Sequence, residues 1–216
     1  MTMPAERGRP RSFDTETALQ RATEVFWRHG FQAASMAELT AATGLSKPSL
    51  YAAFGDKASL YLQCLQRYGA QQVELQNQLL AAEPDARRAV ENFMRAAAQV
   101  QTDPAMPGGC MIVTGTSDCG AQATPPAVDA ALRGAWGGTE QRLLKRLQQA
   151  EREGQLPPSL NAKSLATLLA SVLSGMAVMA KGGQSRKKLD AVVDAAMAVW
   201  PATKPKNRRQ NPDHAR

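Results

Sequence analysis

The segment FQAASMAELTAATGLSKPSLYAAFGDK, residues 31–57, is the most informative part of the sequence. Ser35 and Glu38 have the spacing of a capping box, in which each side chain binds a free backbone N–H of the other residue, and this predicts the start of a short helix. Gly44 permits a tight bend, and Ser46 can cap a second short helix directly after it. The pattern therefore predicts a helix-turn-helix.

A longer helix is predicted before this segment, over residues 14–29, with Gly30 as its natural end. Apolar residues at helical spacing would pack the three helices together: Val25, Phe26, Leu39, Leu45 and Leu50. In such a unit the second helix of the pair, which ends at Phe54 and Gly55, is the one that enters a DNA major groove.

The outer side of that second helix carries polar groups suited to DNA. Lys47 can reach a base acceptor or a phosphate, Ser49 can bond to a base edge or a phosphate, and Tyr51 offers a hydroxyl to phosphate and a ring to a thymine methyl group. Lys57 combines its charge with the backbone donors at the start of the next helix, which favours phosphate. A plain helical hairpin with solvated charges explains the same residues, so their chemistry alone leaves both interpretations open.

Net charge says little about this function. The chain carries 26 Lys and Arg against 19 Asp and Glu, a net charge of +7, but nine basic and three acidic residues of that total lie in 181–216. A basic arm near the N-terminus, formed by Arg7, Arg9 and Arg11, is better placed to lie along or in a minor groove.

The remainder of the chain is predicted to be all-α, because Ala, Leu and Gln abound and no convincing period-two alternation occurs. Helices are expected at about 56–82, 85–102, 125–153, 162–181 and 186–200, with a loop at 104–109 and a short segment at 110–119. Gly137 and Gly138 mark a weak point in the long helix. Residues 201–216 are predicted to be a basic, disordered tail.

Several classes of protein are not expected. Three cysteines suit a reducing cytoplasm better than a disulfide framework. The polar start lacks a signal-peptide pattern, and the longest uncharged run, 164–180, is short for a membrane span. We therefore expect a cytoplasmic protein that does not bind membranes. His29 and His214 lack the partners of a catalytic or metal site, so no cofactor or metal is expected, and a helical enzyme or a binding module that does not bind DNA is the rival class.

Residues 31–57, the pattern of the first helix and the Gly-Arg-Pro-Arg arm at 8–11 closely resemble the N-terminal domain of the TetR/AcrR family of bacterial transcriptional regulators. The resemblance implies a helix-turn-helix domain at 9–69, a ligand-binding and dimerisation domain at 70–200, and a homodimeric repressor released from a palindromic operator by a small molecule. By position it implies DNA contacts from Ser35, Met36, Ala37, Lys47, Pro48, Ser49, Tyr51 and Lys57. Ala37 and Ala53 replace a longer polar or basic side chain and a histidine of some members, so base recognition is expected to depend more on Lys47.

The last two predicted helices are expected to form the dimer interface, since they combine small residues, which let helices approach closely, with large apolar ones. The expected interface residues are Leu168, Ser171, Val172, Gly175, Val178, Leu189, Val193 and Met197. Two such helices from each protomer would make a four-helix interface. Two ordinary core helices are the alternative.

Methionine and aromatic residues of the middle helices suit an adaptable apolar pocket for the small molecule: Phe93, Met94, Met106, Met111 and Trp136. Plain core packing is the alternative for each. Cys110 follows Pro-Gly-Gly and is predicted to begin a helix, a position where thiols are more reactive. This segment resembles the Gly-Cys segment of a TetR branch that senses electrophiles and oxidants, so a sensor thiol and a small packed cysteine are both open.

Overall fold

A computed structural model describes residues 14–201. Within this range the chain forms ten α-helices and one 3₁₀ turn with no strand, which confirms the all-α prediction. The helices are α1 Thr15–Ala33, α2 Met36–Thr43, α3 Lys47–Phe54, α4 Lys57–Ala81, α5 Ala86–Gln101, α6 Met111–Gly115, α7 Pro126–Trp136, α8 Gly138–Arg152, α9 Ala162–Lys181 and α10 Arg186–Met197, and the 3₁₀ turn is Thr116–Asp118.

The backbone of α1 leaves helical geometry at Gly30, as predicted, and the chain bends there. Gly30 adopts φ 78°, which favours glycine, and one further turn continues to Ala33. The backbone N–H after the bend, that of Phe31, donates to the buried carboxylate of Asp118 at 2.7 Å. A Cβ at position 30 would lie 2.9 Å from Oδ2 of the same carboxylate. The stop predicted at Gly30 is confirmed. The extra turn after it was not predicted, because it depends on a residue far along the chain that binds the N–H freed by the bend.

The prediction of a single helix over 125–153 was wrong, because this stretch forms two helices. α7 ends at Trp136, α8 begins at Gly138, and Gly137 separates them. Two successive glycines have low helix propensity, so the weak point becomes a break. The short segment after the 104–109 loop is α6 followed by the 3₁₀ turn.

Buried apolar side chains form two clusters. The first cluster contains residues of α1, α2, α3 and α4. The second cluster contains residues of α4, α5, α8, α9 and α10. We call α1 to α3 with the start of α4 the first unit, and the rest of the described chain the second unit. Met111, Val128 and Leu132, from α6 and α7, pack into the first cluster, so the two units share an interface. α4 runs through both clusters, with Tyr68 in the first and Leu80 in the second. The domain boundary predicted after residue 69 thus falls within a continuous helix.

α9 has the length and hydropathy of a membrane span, although 39% of its most apolar window is buried inside the protein. One side of α9 packs on α5, α6, α8 and α10. A core helix of a water-soluble fold passes the same length and hydropathy test. The position of α9 within the second cluster accounts for its apolar character on that side.

Candidate nucleic-acid interface and ligand cavity

The turn between α2 and α3 is held by local hydrogen bonds. Gly44 has φ 70°, and its N–H donates to the carbonyl of Thr40 at 3.0 Å. The hydroxyl of Thr43 donates to the carbonyl of Leu39 at 2.7 Å. Ser46 caps α3 by accepting the N–H of Ser49 at 3.3 Å. The turn geometry therefore follows from residues within a few positions of it.

Burial decides which side of α3 is available. Leu50 and Phe54 are buried in the first cluster, as is Leu39 from α2. The opposite side is exposed and carries Lys47, Pro48, Ser49, Tyr51 and Ala53. Tyr51 is 38% exposed, and Nζ of Lys47 lies 5.6 Å from the centre of its ring. The four residues predicted to contact DNA on α3 are thus all exposed.

The start of α2 carries further residues predicted to contact DNA. Oγ of Ser35 accepts the N–H of Glu38 at 3.1 Å, and the Ser35 N–H donates to the Glu38 carboxylate at 2.8 Å, so the predicted capping box is present. The backbone N–H and the hydroxyl of Ser35 lower the pKa of the Glu38 carboxyl. Nε2 of His29 lies 3.5 Å from that carboxylate. Ala37 is exposed, whereas Met36 is half-buried against the first cluster.

Lys57 is half-buried, whereas the phosphate contact predicted for it would require an exposed side chain. Its ammonium donates to the carbonyl of Gln32 at 3.2 Å and lies 4.8 Å from the ring centre of Phe31. Burial lowers the pKa of Lys57. Asp56 caps α4 through the N–H of Ser59 at 2.7 Å. Lys57 therefore stabilises the end of α1, with the start of α4 beside it.

The basic arm with Arg7, Arg9 and Arg11 lies outside the described residues, as do His214 and all but the first residue of the predicted tail 201–216. No group of three or more metal-ligating side chains occurs within residues 14–201.

A cavity of about 290 Å³ lies between α4, α5, α6, α8 and α9 and the end of α7. Phe93 and Trp136 line it, as predicted. The other three predicted pocket residues are elsewhere: Met94 and Met111 are fully buried in the two clusters, and Met106 is exposed on the loop before α6. Their assignment was wrong because apolar spacing identifies a buried face of a helix but not which buried residues border empty space.

Polar groups lie at two places in the cavity wall. Arg142 on α8 donates through Nε to the side-chain carbonyl of the buried Gln76 on α4, at 2.7 Å. The second place is Gln101 of α5. Its side chain is buried, and its Oε1 lacks a partner among residues 14–201. Tyr68 and Cys110 also line the wall. None of these positions except Cys110 stands out in the sequence, because each depends on packing between distant helices.

Cys110 is the residue directly before α6, as predicted, but α6 has only five residues. The hydroxyl of Tyr68 donates to its sulfur at 3.4 Å, and the side chain borders the cavity. Cys64 is fully enclosed, and burial raises its pKa to about 12. Cys119 is half-buried against the first cluster. Cys110 is thus the cysteine, among the three, that borders the cavity.

The expected dimer residues divide into two groups. Leu168, Ser171, Gly175 and Val178 form one exposed side of α9, with the half-buried Val172 beside it. Leu189, Val193 and Met197 are buried in the protomer's own second cluster, so their assignment to an interface was wrong. The apolar stripe of α10 is covered by α5 and α9 of the same chain.

Two charged side chains connect the second unit to the bend in α1. Asp118 accepts the Phe31 N–H, as described above. Lys181, the last residue of α9, donates to the carbonyls of Trp27 and Arg28 at 3.1 and 2.9 Å. Burial lowers the pKa of Lys181. The sequence gives no local signal for either contact, since each joins residues more than eighty positions apart.

Comparison with known proteins gives the family. A family model described as "Tetracyclin repressor-like, C-terminal domain" matches residues 86–196, and one described as "Bacterial regulatory proteins, tetR family" matches residues 18–64. The HTH-type transcriptional repressor ComR of Escherichia coli K12 is 32% identical over 198 residues, which cover 90% of this chain and 92% of ComR. BdcR of the same organism, also an HTH-type transcriptional repressor, is 33% identical over 192 residues, covering 88% and 90%.

Among solved structures, a cysteine mutant of the TetR family transcriptional regulator CifR, complexed with 26-bp double-strand operator DNA, is 37% identical with a TM-score of 0.81 and covers 90% of this chain and 100% of its own. E. coli NemR in its reduced form has the same fold, with a TM-score of 0.73 at 18% identity. The helix-turn-helix, the matched C-terminal domain and the identity to ComR agree: the chain belongs to the TetR family of bacterial transcriptional regulators, which are not enzymes.

Proposed function

We propose that this protein is a homodimeric repressor that binds a palindromic DNA operator through α3 and is released from it by a small molecule. The observation that carries the proposal is that Lys47, Ser49 and Tyr51 are all exposed on the second helix of a helix-turn-helix. Buried Leu50 and Phe54 fix the orientation of that helix from behind. A short helix presented in this way can place its side chains at base edges in a major groove.

The proposed domain division follows from the same features. Residues 9–69 hold the DNA-binding unit and residues 70–200 the unit that dimerises and binds the small molecule. The exposed side of α9 supports the dimer, since Leu168 is 43% and Val178 59% exposed around the small residues Ser171 and Gly175. Two DNA-binding units related by twofold symmetry would contact half-sites about 34 Å apart or a multiple of that distance.

Assignment of this side of α9 to a second protomer also explains its apolar character without a membrane. A regulator of this kind acts on chromosomal DNA, so we propose a cytoplasmic location.

Release by a ligand requires that the cavity be coupled to α1. Ile112 and Val113 of α6 line the cavity, and the 3₁₀ turn that follows α6 carries Asp118. Asp118 in turn binds the backbone of Phe31 at the bend of α1. Any ligand that displaces α6 would therefore move the contact that positions the DNA-binding unit. A ligand shifts this equilibrium only by its difference in affinity between the two positions.

The test is binding to DNA taken from upstream of the protein's own gene, followed by selection of bound fragments from the whole genome. Wild-type protein should give a salt-sensitive, sequence-selective complex. Lys47→Ala and Tyr51→Ala should each weaken it by about 1–3 kcal/mol with an unchanged melting temperature. Lys145→Ala, at an exposed position on α8, is the control. No selective complex, or full affinity in both variants, contradicts the proposal.

A second candidate function is that of a thiol sensor, in which modification of Cys110 replaces ligand binding. The observation that favours it is the position of the sulfur at the cavity wall with a hydroxyl donor from Tyr68 at 3.4 Å. A group added to the sulfur would occupy the space beside α6. The short α6 contributes little of the helix-end electrostatics predicted for this thiol.

N-ethylmaleimide separates the two candidates. Under the sensor hypothesis, modified wild type should lose operator affinity, Cys110→Ser should retain it, and Cys119→Ser should behave as wild type. Full modification of Cys110, verified by mass spectrometry, without a change in operator affinity would eliminate the sensor.

A further inference from the structure

We propose that the ligand of the cavity is an apolar carboxylate whose head group binds Arg142 at the start of α8. The inference rests on the proposed ligand response but concerns the chemistry of the molecule that fits. The cavity of about 290 Å³ is small for a ligand site, and most of its wall is apolar, including Val73, Leu79 and Phe93.

Arg142 is a half-buried cation whose guanidinium hydrogen-bonds to a neutral side chain. No carboxylate within residues 14–201 pairs with it, and burial lowers its pKa. Its Nε donates to Gln76 Oε1 at 2.7 Å, and the same oxygen accepts from the hydroxyl of Thr139 at 3.3 Å. Gln76 is itself buried, so it fixes the guanidinium in place. Neither Nη group has a hydrogen-bond partner among residues 14–201, so both can donate to an oxygen pair, the geometry that a carboxylate supplies.

The guanidinium also lies over the start of a helix. Its Nη2 and Nη1 are 3.1 and 3.3 Å from where a Cβ on Gly138 would be, so the glycine leaves the space that Arg142 occupies. The N-cap of α8, Gly137, provides no side-chain hydrogen bond. A cation beside the positive end of a helix is unfavourable, and a bound anion would relieve both the helix end and the arginine.

One acidic side chain faces the same region. Glu140 lines the cavity and accepts the hydroxyl of Thr167 on α9 at 2.5 Å. A group with two negative charges would be repelled by Glu140, whereas a singly charged group is balanced by Arg142. The arrangement therefore favours a carboxylate over a phosphate monoester.

The far end of the cavity offers a second, independent polar contact. Gln101 is only 8% exposed, borders the cavity, and has no partner for its Oε1 among the described residues. On α4 the lining residues run from Tyr68 to Gln76, which at the helical rise per residue is about 12 Å. A hydroxyl at the other end of a chain of roughly that length would donate to Gln101, since an unpaired buried acceptor is unfavourable.

The experiment measures binding to the full-length protein by calorimetry, without DNA, with octanoate, octan-1-ol, octylamine and octyl phosphate as probes. Octanoate should bind about 10- to 100-fold more tightly than the alcohol or the amine, the difference expected of a charge-assisted hydrogen bond. Octyl phosphate should bind more weakly than octanoate. Equal binding of acid and alcohol, tighter binding of the phosphate, or no binding of octanoate overturns the proposal.

Two variants locate the contact. Arg142→Gln should abolish the preference for the acid, because octanoate loses a charge-assisted contact and octan-1-ol at most a neutral one, and Arg152→Gln, at an exposed position on the same helix, should retain it. Arg142→Lys, which preserves the charge, keeps the test valid should the glutamine variant fold poorly. A preference for the acid that survives in folded Arg142→Gln overturns the assignment of Arg142.

The far end is tested with 8-hydroxyoctanoate. It should bind more tightly than octanoate to wild type, and this gain should disappear in Gln101→Leu; equal affinity of the two acids for wild type overturns the contact with Gln101. Operator binding is measured separately. A carboxylate that binds the cavity but leaves the operator complex intact contradicts the proposed ligand response and not the chemistry of the site.

Discussion

The DNA-binding unit and the cavity show two ways in which a chain produces a functional surface. In the DNA-binding unit, all the described side chains proposed to meet DNA lie between Ser35 and Lys57, and their helices begin at caps within the same segment. The cavity is lined by residues from Tyr68 to Ser174, contributed by helices that are distant in sequence. The first surface is encoded locally, and the second exists only after the helices have packed.

This difference has a consequence for mutations. A change in the DNA-binding unit should alter either its packing or its contacts, because α3 has two buried residues, Leu50 and Phe54, and its other residues are exposed. A change in the second unit should propagate, because its charged residues Asp118 and Lys181 bind the backbone of α1.

A charge on the exposed side of α9 gives the largest effect. Val178→Asp places an unpaired carboxylate in the proposed interface, which should weaken dimerisation by about 3–5 kcal/mol. Sedimentation equilibrium measures the change. Ala130→Asp, at an exposed position on α7, should leave the dimer unchanged. A dimer of full strength in Val178→Asp would place the interface elsewhere.

Leu50→Ala should destabilise the DNA-binding unit by about 2–5 kcal/mol, because it empties a fully buried position between α3 and the first cluster. Urea unfolding followed by circular dichroism measures the loss. The adjacent exposed change Tyr51→Ala should alter the free energy of unfolding by less than about 0.5 kcal/mol. Equal destabilisation by both would contradict the division of α3 into a packed side and a DNA-facing side.

Asp118→Ala tests propagation from the second unit. It leaves the Phe31 N–H buried without an acceptor, which should reduce the free energy of unfolding by about 1–3 kcal/mol. Operator affinity should fall too, although residue 118 is far from α3 in sequence. Asp194→Ala removes a carboxylate that is 65% exposed and pairs with Arg95, so it serves as the matched control with little effect on either quantity. Unchanged operator affinity in Asp118→Ala would show that α1 is positioned without this contact.

Ser35→Ala should have the smallest effect, about 1 kcal/mol of stability, because it removes one side of the capping box of α2. Thermal unfolding of the variant measures it. Ser164→Ala, an exposed serine in the first turn of α9 whose N–H is already capped by Asn161, is the comparison. If the two variants unfolded at the same temperature as wild type, the local encoding of α2 would be in doubt.

The fold was predictable to the extent that it depends on neighbouring residues. The caps at Ser35 and Ser46 were each predicted and are confirmed, because a cap and its target lie three residues apart. The continuation of α1 past Gly30 was not predictable, since the carboxylate that binds the freed N–H lies 87 residues away.

The sites show the same limit. Helical periodicity correctly indicated that α10 has an apolar side, but not that α5 and α9 of the same chain cover it; hence Leu189 and Val193 were placed in the interface. The cavity residues Gln76 and Arg142 carry no local signal, because a glutamine and an arginine on two helices are ordinary surface residues until packing brings them together.

The contact between Lys181 and α1 joins the helix of the proposed dimer face to the DNA-binding unit. It therefore concerns two properties of the operator, the spacing of its half-sites and their base sequence. Lys181 ends the helix that carries the proposed dimer face, and its ammonium binds the carbonyls of Trp27 and Arg28. In a dimer built on α9, that helix would set how far apart the two DNA-binding units stand, while α3 would set which bases each unit reads. Spacing and base preference would then be inherited from separate parts of the gene. Relatives of this protein can on this basis diverge in the gap between half-sites while reading the same bases, or the reverse.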